Sequence, residues 1–199
     1  MKILGLTGGI ASGKSTAARH LADLGAVHLD ADRLGHRAYE PGTPGFDAVV
    51  AEFGDHIVGQ DGQIDRKALG GEVFGKPDRL AALTAIVWPA IRTLAEAELA
   101  AISERQPDAV VVLEAAVLFE AGWEDAVEEV WVVVVDPDVA VARAMARDNS
   151  DEDAVRARIA AQLSNDERRD RADVAIDNSG DEEGLHAQLD ELWVRVTGE

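Results

Sequence analysis

Lys14 and Ser15 close a short run, Gly8-Gly9-Ile10-Ala11-Ser12-Gly13-Lys14-Ser15, that fits the spacing G-x-x-x-x-G-K-[ST]. Each residue type has a reason to stand where it does if the ligand is a polyphosphate. Glycines let the backbone curl so that successive N–H groups converge on an anion. A helix opening at Lys14 adds the partial positive charge of its N-terminus. The Lys14 ammonium can reach β- and γ-phosphate oxygens, and the Ser15 hydroxyl, followed by Thr16, can coordinate Mg²⁺. The plainer alternative is a glycine-rich turn with an exposed lysine. The context favours the phosphate cradle, because the apolar segment KILGLT precedes the run and AARHLADLG, with helical spacing, follows it.

An anion site is unexpected in so acidic a chain. Over 199 residues the formal net charge is −19, so the overall field repels phosphate, and binding must rest on local cations, backbone N–H groups or a metal. Only Lys2, Lys14, Lys67 and Lys76 are lysines, and one of the four lies within the cradle. The charge argues against a general nucleic-acid binder. The absence of cysteine excludes disulfides and thiolate metal sites. Histidines 20, 28, 36, 56 and 186 lack metal-ligand spacing and are read as structural or surface residues, and Trp88, Trp123, Trp131 and Trp193 as core. No signal peptide is recognised and no apolar run approaches the ~20 residues of a membrane span, so a cytoplasmic location without membrane attachment is expected.

The elements that must position this run alternate in type. Ile3–Thr7 reads as a buried strand, Lys14–Leu24 as a helix, AVHLDAD as a short strand, and Phe46, Val49, Val50 and Phe53 as one face of a helix. A long helical pattern runs from Pro77 to about Arg105, with Pro89 expected to bend or interrupt it. AVVVLEAAVLF opens as a strand, VWVVVV is another, and both are apolar on two faces, as central parallel strands are. Charged helices over Pro137–Arg147 and Asp151 to about Arg169 precede a last strand, ADVAID, and a closing helix with Leu185, Leu189, Leu192, Trp193 and Val196 on one stripe. The order predicts an α/β fold with a doubly wound parallel sheet.

In such a sheet ligands bind beyond the carboxyl ends of the strands. Asp30 and Asp32 stand there, two apart, on one side of the chain if the strand continues. Either can serve as a base for an attacking hydroxyl or hold a metal's water shell, but Asp32 fits equally well as the cap of a helix over RLGHRAY. The chain lacks the N-K-x-D stretch of guanine-selective GTPases, and its size suits a small-metabolite kinase.

Taken together, LTGGIASGKST, LGAVHLDADRLGHRAYEPG, FG, DGQIDRKAL, VLFE and DNSG follow one another in an order that resembles the dephospho-coenzyme A kinases, from Ile3 to about Gly180. The resemblance implies a P-loop NTPase fold of the nucleotide-kinase type in one domain over 1–199. It implies a helical acceptor-binding subdomain at about 41–102 and a lid at about 143–170. It implies ATP and Mg²⁺ as cofactors and transfer of the γ-phosphoryl group to the ribose 3′-hydroxyl of dephospho-coenzyme A, with no protein partner inferred. By position, Gly8, Gly9, Ala11, Ser12, Gly13, Lys14, Ser15 and Thr16 would bind ATP, with Ser15 on the metal. Asp32 would be the base, with Lys14 and Arg143 also catalytic. Arg66, Trp88 and Glu120 would touch the acceptor. Arg143 and Arg147, one turn apart and thus on one helix face, would clamp phosphates, and Asn178 would lie near the adenine.

Three departures stand out. Trp88-Pro89-Ala90-Ile91 occupies the place of a family HPxI stretch, and Ala116–Glu120 that of PLLFE. Glu114 ends the middle strand where P-loop enzymes often carry an aspartate. The stretches AAVLFEAGW and VWPAI are similar to the kinase half of bifunctional coenzyme A synthases. The altered Trp88 and Ala116 favour one alternative, a P-loop kinase for another small alcohol or nucleotide acceptor. A rival of another class is a nucleotide-binding regulator without catalysis, against which Asp32 and the arginine pair argue.

Overall fold

The computed structural model describes residues 1–198. The chain divides into two compact units, one formed by Met1–Asp30 with the chain from Ser103 onward, the other by Ala31–Ile102. The second begins ten residues before the helical subdomain expected from about residue 41.

The first unit is a five-stranded, wholly parallel sheet. Its strands are β1 (Lys2–Gly8), β2 (Val27–Asp30), β3 (Val110–Glu114), β4 (Glu129–Val134) and β5 (Val174–Asp177), in the order β2-β3-β1-β4-β5. From β1 the chain passes to β2 and β3 on one side and then crosses to β4 and β5 on the other. The order therefore reverses at β1, and a crevice opens at its carboxyl end beside β3. The three central strands, β3, β1 and β4, are buried on both faces over most of their length. On one face Leu4, Leu6, Val112, Trp131, Val133 and Ile176 pack with Ala17, Ala18 and Leu21 of helix α1 (Lys14–Asp23) and with Leu185 and Leu189 of the closing helix.

From α6 onward the helices of this unit open on side-chain caps. The Asp136 carboxylate accepts from the first turn of α6 (Pro137–Asp148), and Asp151 does so for α7 (Glu152–Ala160). A reciprocal Ser164–Glu167 capping box opens α8 (Asn165–Arg171), and Asp181 caps α9 (Glu182–Thr197). This corrects the single helix expected from Asp151 to about Arg169. The capping box starts a new helix at Asn165, and residues 161–164 form the break.

The second unit is helical: α2 (Ala31–Arg37), α3 (Pro44–Phe53), α4 (Arg66–Val73) and the greater part of α5 (Pro77–Arg105). Thr43 and Asp65 cap α3 and α4. Its core is Val49, Phe53, Ile57, Ile64 and Leu69, against which Leu83, Ile86 and Val87 of α5 pack. Of the two outcomes expected at Pro89, a bend or an interruption, the interruption is corrected: α5 stays helical through it, and the Pro89 carbonyl accepts from Thr93 Oγ1 at 3.0 Å. At 29 residues α5 has the length, and over part of it the composition, to cross a bilayer, although its Leu83, Ile86 and Val87 serve the helical core.

Candidate active site

The cradle lies between β1 and α1, where the sheet order reverses. Two of its residues have positive φ, Ala11 (55°) and Gly13 (93°). Gly13 also has no room for a side chain, since a Cβ there would lie 2.1 Å from Asn178 Nδ2. Gly8 is required by close approach and not by its dihedral angle: a Cβ would meet Ser12 Oγ at 2.4 Å and the Val133 carbonyl at 2.6 Å. The loop is therefore shaped by its supports as much as by glycine freedom. Ser12 N–H donates to the Gly9 carbonyl at 3.2 Å, and both Thr16 and Ala17 N–H donate to Gly13 O at 3.0 Å. Ile10 and Ala11 pack on Val141, Ala144 and Val155 of α6 and α7.

Behind the cradle, Glu114 closes β3. It is 2% exposed and shares its two oxygens among three groups. Oε1 accepts from Lys14 Nζ at 2.5 Å and Ser15 Oγ at 2.6 Å, and Oε2 lies 2.8 Å from His28 Nε2. Burial pushes the carboxyl up, but hydrogen bonds from His28, Lys14 and Ser15 together outweigh it and hold the group at about 2. A cationic nitrogen, a hydroxyl and an ionised carboxylate thus converge at the carboxyl end of the sheet. A cavity of about 580 Å³ lies alongside, lined by Gly9, Ser12, Val135, Pro137, Gln162 and Asn165 among others.

The remaining expected residues fall into distinct settings. Asn178 is buried, and its Nδ2 donates to the Ser12 carbonyl at 2.7 Å, so it props the cradle from behind. Arg143 donates to the carbonyls of Asn178 at 2.8 Å and Gly180 at 3.0 Å. Arg147 is exposed and paired with Asp148 at 2.7 Å. The two arginines expected to form one clamp are therefore engaged separately in this structure. One holds the loop after β5, and the other sits on a solvated face. Glu120 lies in a turn, with Oε1 3.2 Å from Nη2 of the fully buried Arg168. Burial pushes the Arg168 guanidinium down from the usual arginine range, and the Glu120 charge opposes this.

In the helical unit, Asp32 lies in the first turn of α2, not on a strand. β2 ends at Asp30, so the expectation that both carboxylates project from one strand face is corrected by the helix starting between them. Asp32 and Trp88 line one cavity of about 310 Å³ with Tyr39, Leu69, Leu83 and Val87. The half-buried Trp88 thus differs from Trp123 and Trp131, which are core. Arg66 is exposed at the first turn of α4.

The sequence model of the dephospho-CoA kinases matches residues 2–183. The chain belongs to the dephospho-CoA kinase family. Within that family it is 53% identical over 148 residues to the dephospho-CoA kinase of Geobacter sulfurreducens, covering 74% of this chain and 75% of that protein. A Thermus thermophilus crystal structure matches over 99% of this chain and 98% of that one, at 37% identity and a TM-score of 0.82. The dephospho-CoA kinase of Campylobacter jejuni, at 21% identity and a TM-score of 0.66, covers 100% of this chain and 98% of that one, and shares the fold. This chain is accordingly an ATP-dependent kinase with a P-loop α/β fold.

The structure adds three residues around the cradle. Glu114, which the sequence marks only as a departure from aspartate, ties Lys14 and Ser15 together. His28, expected to be structural or surface, touches Glu114 across adjacent strands. Gln162, whose Oε1 accepts from Ile10 N–H at 2.9 Å, carried no signal at all. A signal for His28 did exist. In the parallel β2–β3 pair, Val112 faces His28 and Glu114 faces Asp30, making 28 and 114 diagonal neighbours on one face. Using it requires knowing that β2 and β3 are adjacent.

Proposed function

We propose that this chain transfers the γ-phosphoryl group of ATP to the ribose 3′-hydroxyl of dephospho-coenzyme A, using the residues of the cradle and of the Asp32 cavity in separate roles. One observation carries the reading: the joint placement of Lys14, Ser15 and Glu114 behind a cradle too tight for side chains at Gly8 and Gly13. Backbone N–H groups of the cradle other than those of Ile10, Ser12 and Thr16, which serve its internal bonds, would grip the β- and γ-phosphates. The Lys14 ammonium would move from Glu114 to the phosphate oxygens. The nucleoside would extend into the cavity beside Val135 and Asn165.

The donor set fits a magnesium ion, since a serine hydroxyl and an ionised carboxylate are hard oxygen ligands. Ser15 would hold it directly, with Glu114 on its water shell. Such an ion neutralises charge that develops on the β- and γ-phosphate oxygens. In the transfer, the acceptor oxygen bonds to the γ-phosphorus as the bond to the β–γ bridging oxygen breaks. The hydroxyl proton passes to Asp32, and ADP leaves. Trp88 would give the acceptor an apolar wall in place of the family's histidine, and Arg66 and Glu120 would contact it further. Arg147, once released from Asp148, would belong to a lid at about 143–170, whereas Arg143 and Asn178 would position the nucleotide through the loops they hold. Because little covalent chemistry is left to the protein, rate enhancement comes from positioning and electrostatics.

The test is coupled detection of ADP with dephospho-coenzyme A, nucleoside monophosphates, nucleosides and sugar acids side by side. Rapid ADP release with dephospho-coenzyme A alone is expected. Preference for another acceptor would overturn the assignment, and ATP binding without acceptor-dependent release would indicate a non-catalytic regulator.

A further inference from the structure

A nucleotide would compete with Glu114 for Lys14. The Lys14 ammonium rests 2.5 Å from Glu114 Oε1, and phosphate oxygens would draw it away. Glu114 is 2% exposed, so a departing cation strips a donor from a carboxylate that water cannot easily reach. Leaving such a group under-satisfied is expensive. Ser15 is not a dependable replacement, because a divalent cation with the nucleotide would recruit the same hydroxyl.

His28 is the donor that neither ligand claims. It belongs to β2 and reaches Oε2, the oxygen that Lys14 and Ser15 do not use, at 2.8 Å. Its side chain is 26% exposed, so its other nitrogen can be solvated. The register makes it a diagonal neighbour of Glu114 across the β2–β3 pair, which sets its reach by strand geometry rather than by a flexible loop. Imidazole has only two side-chain torsions to fix.

We propose that His28 is a positioning residue that holds the Glu114 carboxylate when Lys14 moves to the nucleotide, and so makes the lysine easier to recruit. Without it, Glu114 would grip Lys14 more exclusively, and nucleotide binding would have to break a stronger pair. The proposal rests on the reading of Lys14 as a nucleotide contact.

The experiment is calorimetric titration with ADP and Mg²⁺ in the absence of any acceptor, so that binding is read without turnover and the cation engages Ser15. His28→Ala should bind ADP about 10-fold more weakly than the unmodified protein, equivalent to ~1.4 kcal/mol. His28→Gln, whose amide can replace Nε2, should stay within about 3-fold of it. In a Lys14→Met background His28→Ala should weaken binding no further, because the lysine to be recruited is gone. Should the alanine protein fail to fold, His28→Asn, whose shorter amide cannot reach Oε2, takes its place. Unchanged affinity in His28→Ala, equal loss in the glutamine variant, or the same loss in both Lys14 backgrounds would overturn the proposal. The last result would mark His28 as merely structural. If the unmodified protein bound no ADP, the nucleotide reading itself would fail instead.

Discussion

The side-chain amide of Asn178 donates to the main-chain carbonyl of Ser12 at 2.7 Å, joining two loops 166 residues apart. It occupies the space that a side chain at position 13 would need. The shape of the cradle is therefore held by the loop after β5, and Arg143 in turn holds that loop through the carbonyls of Asn178 and Gly180. Asn178→Ala leaves a buried carbonyl without its donor and should destabilise the cradle by about 1–3 kcal/mol. KM for ATP should rise while KM for the acceptor stays near its original value. A parallel rise in both would show that Asn178 supports the whole fold and not the cradle.

Gly13→Ala tests the same contact from the other side. It forces an L side chain into positive φ, at about 1–2 kcal/mol, and drives a methyl group into Asn178. Loss of ATP affinity with a lowered melting temperature is expected, and calorimetry and thermal unfolding read the two effects separately.

Lys14→Ala should lower kcat by on the order of 10²–10³-fold, as removal of one preorganised charge from a transition state typically does. The coupled ADP assay with dephospho-coenzyme A measures this. Turnover close to normal would remove Lys14 from the chemistry.

Asp32→Asn should reduce kcat by on the order of 10²–10⁴-fold, the usual range for a general base, with ATP affinity little changed. If turnover persists, Asp32 is only a favourable carboxylate in the first turn of α2. Trp88→Ala, on the same cavity, should raise KM for the acceptor by about 10-fold and leave KM for ATP alone.

Glu114 predicts a pH dependence of stability. Its carboxyl lies at about 2 when folded against an ordinary 4.5, so the folded state holds the ionised form more tightly than the unfolded chain does. This contribution is present in full above about 4.5 and is lost as the pH falls from there towards 2. Melting temperature followed over that window should fall more steeply for the unmodified protein than for Glu114→Gln. Identical slopes would show that the native state does not favour the charged carboxylate.

Much of the fold could be read from local pattern. The two-faced apolar strands and the cradle between strand and helix are short-range features, and the periodicity of the closing helix matched the packing of Leu185 and Leu189. The split of the helix after Asp151 is also a local feature, carried by the Ser164–Glu167 capping box. Pro89 does not end α5 for a physical reason: it removes one N–H donor from a long helix whose Leu83, Ile86 and Val87 are packed on the core of the helical unit.

The sequence by itself determined that a phosphate-binding turn with a lysine and a hydroxyl follows the first strand of a parallel α/β sheet, because backbone curl, helix start and residue type act over a few positions. Only the tertiary structure decided that His28 shares the carboxylate of Glu114 and that Asn178 braces Ser12. It also decided that Arg143 faces a loop while Arg147 faces solvent. These pairings depend on which strands lie side by side and which loops meet at the sheet's edge. Strand order is set by the packing of the whole chain, and no local periodicity encodes it.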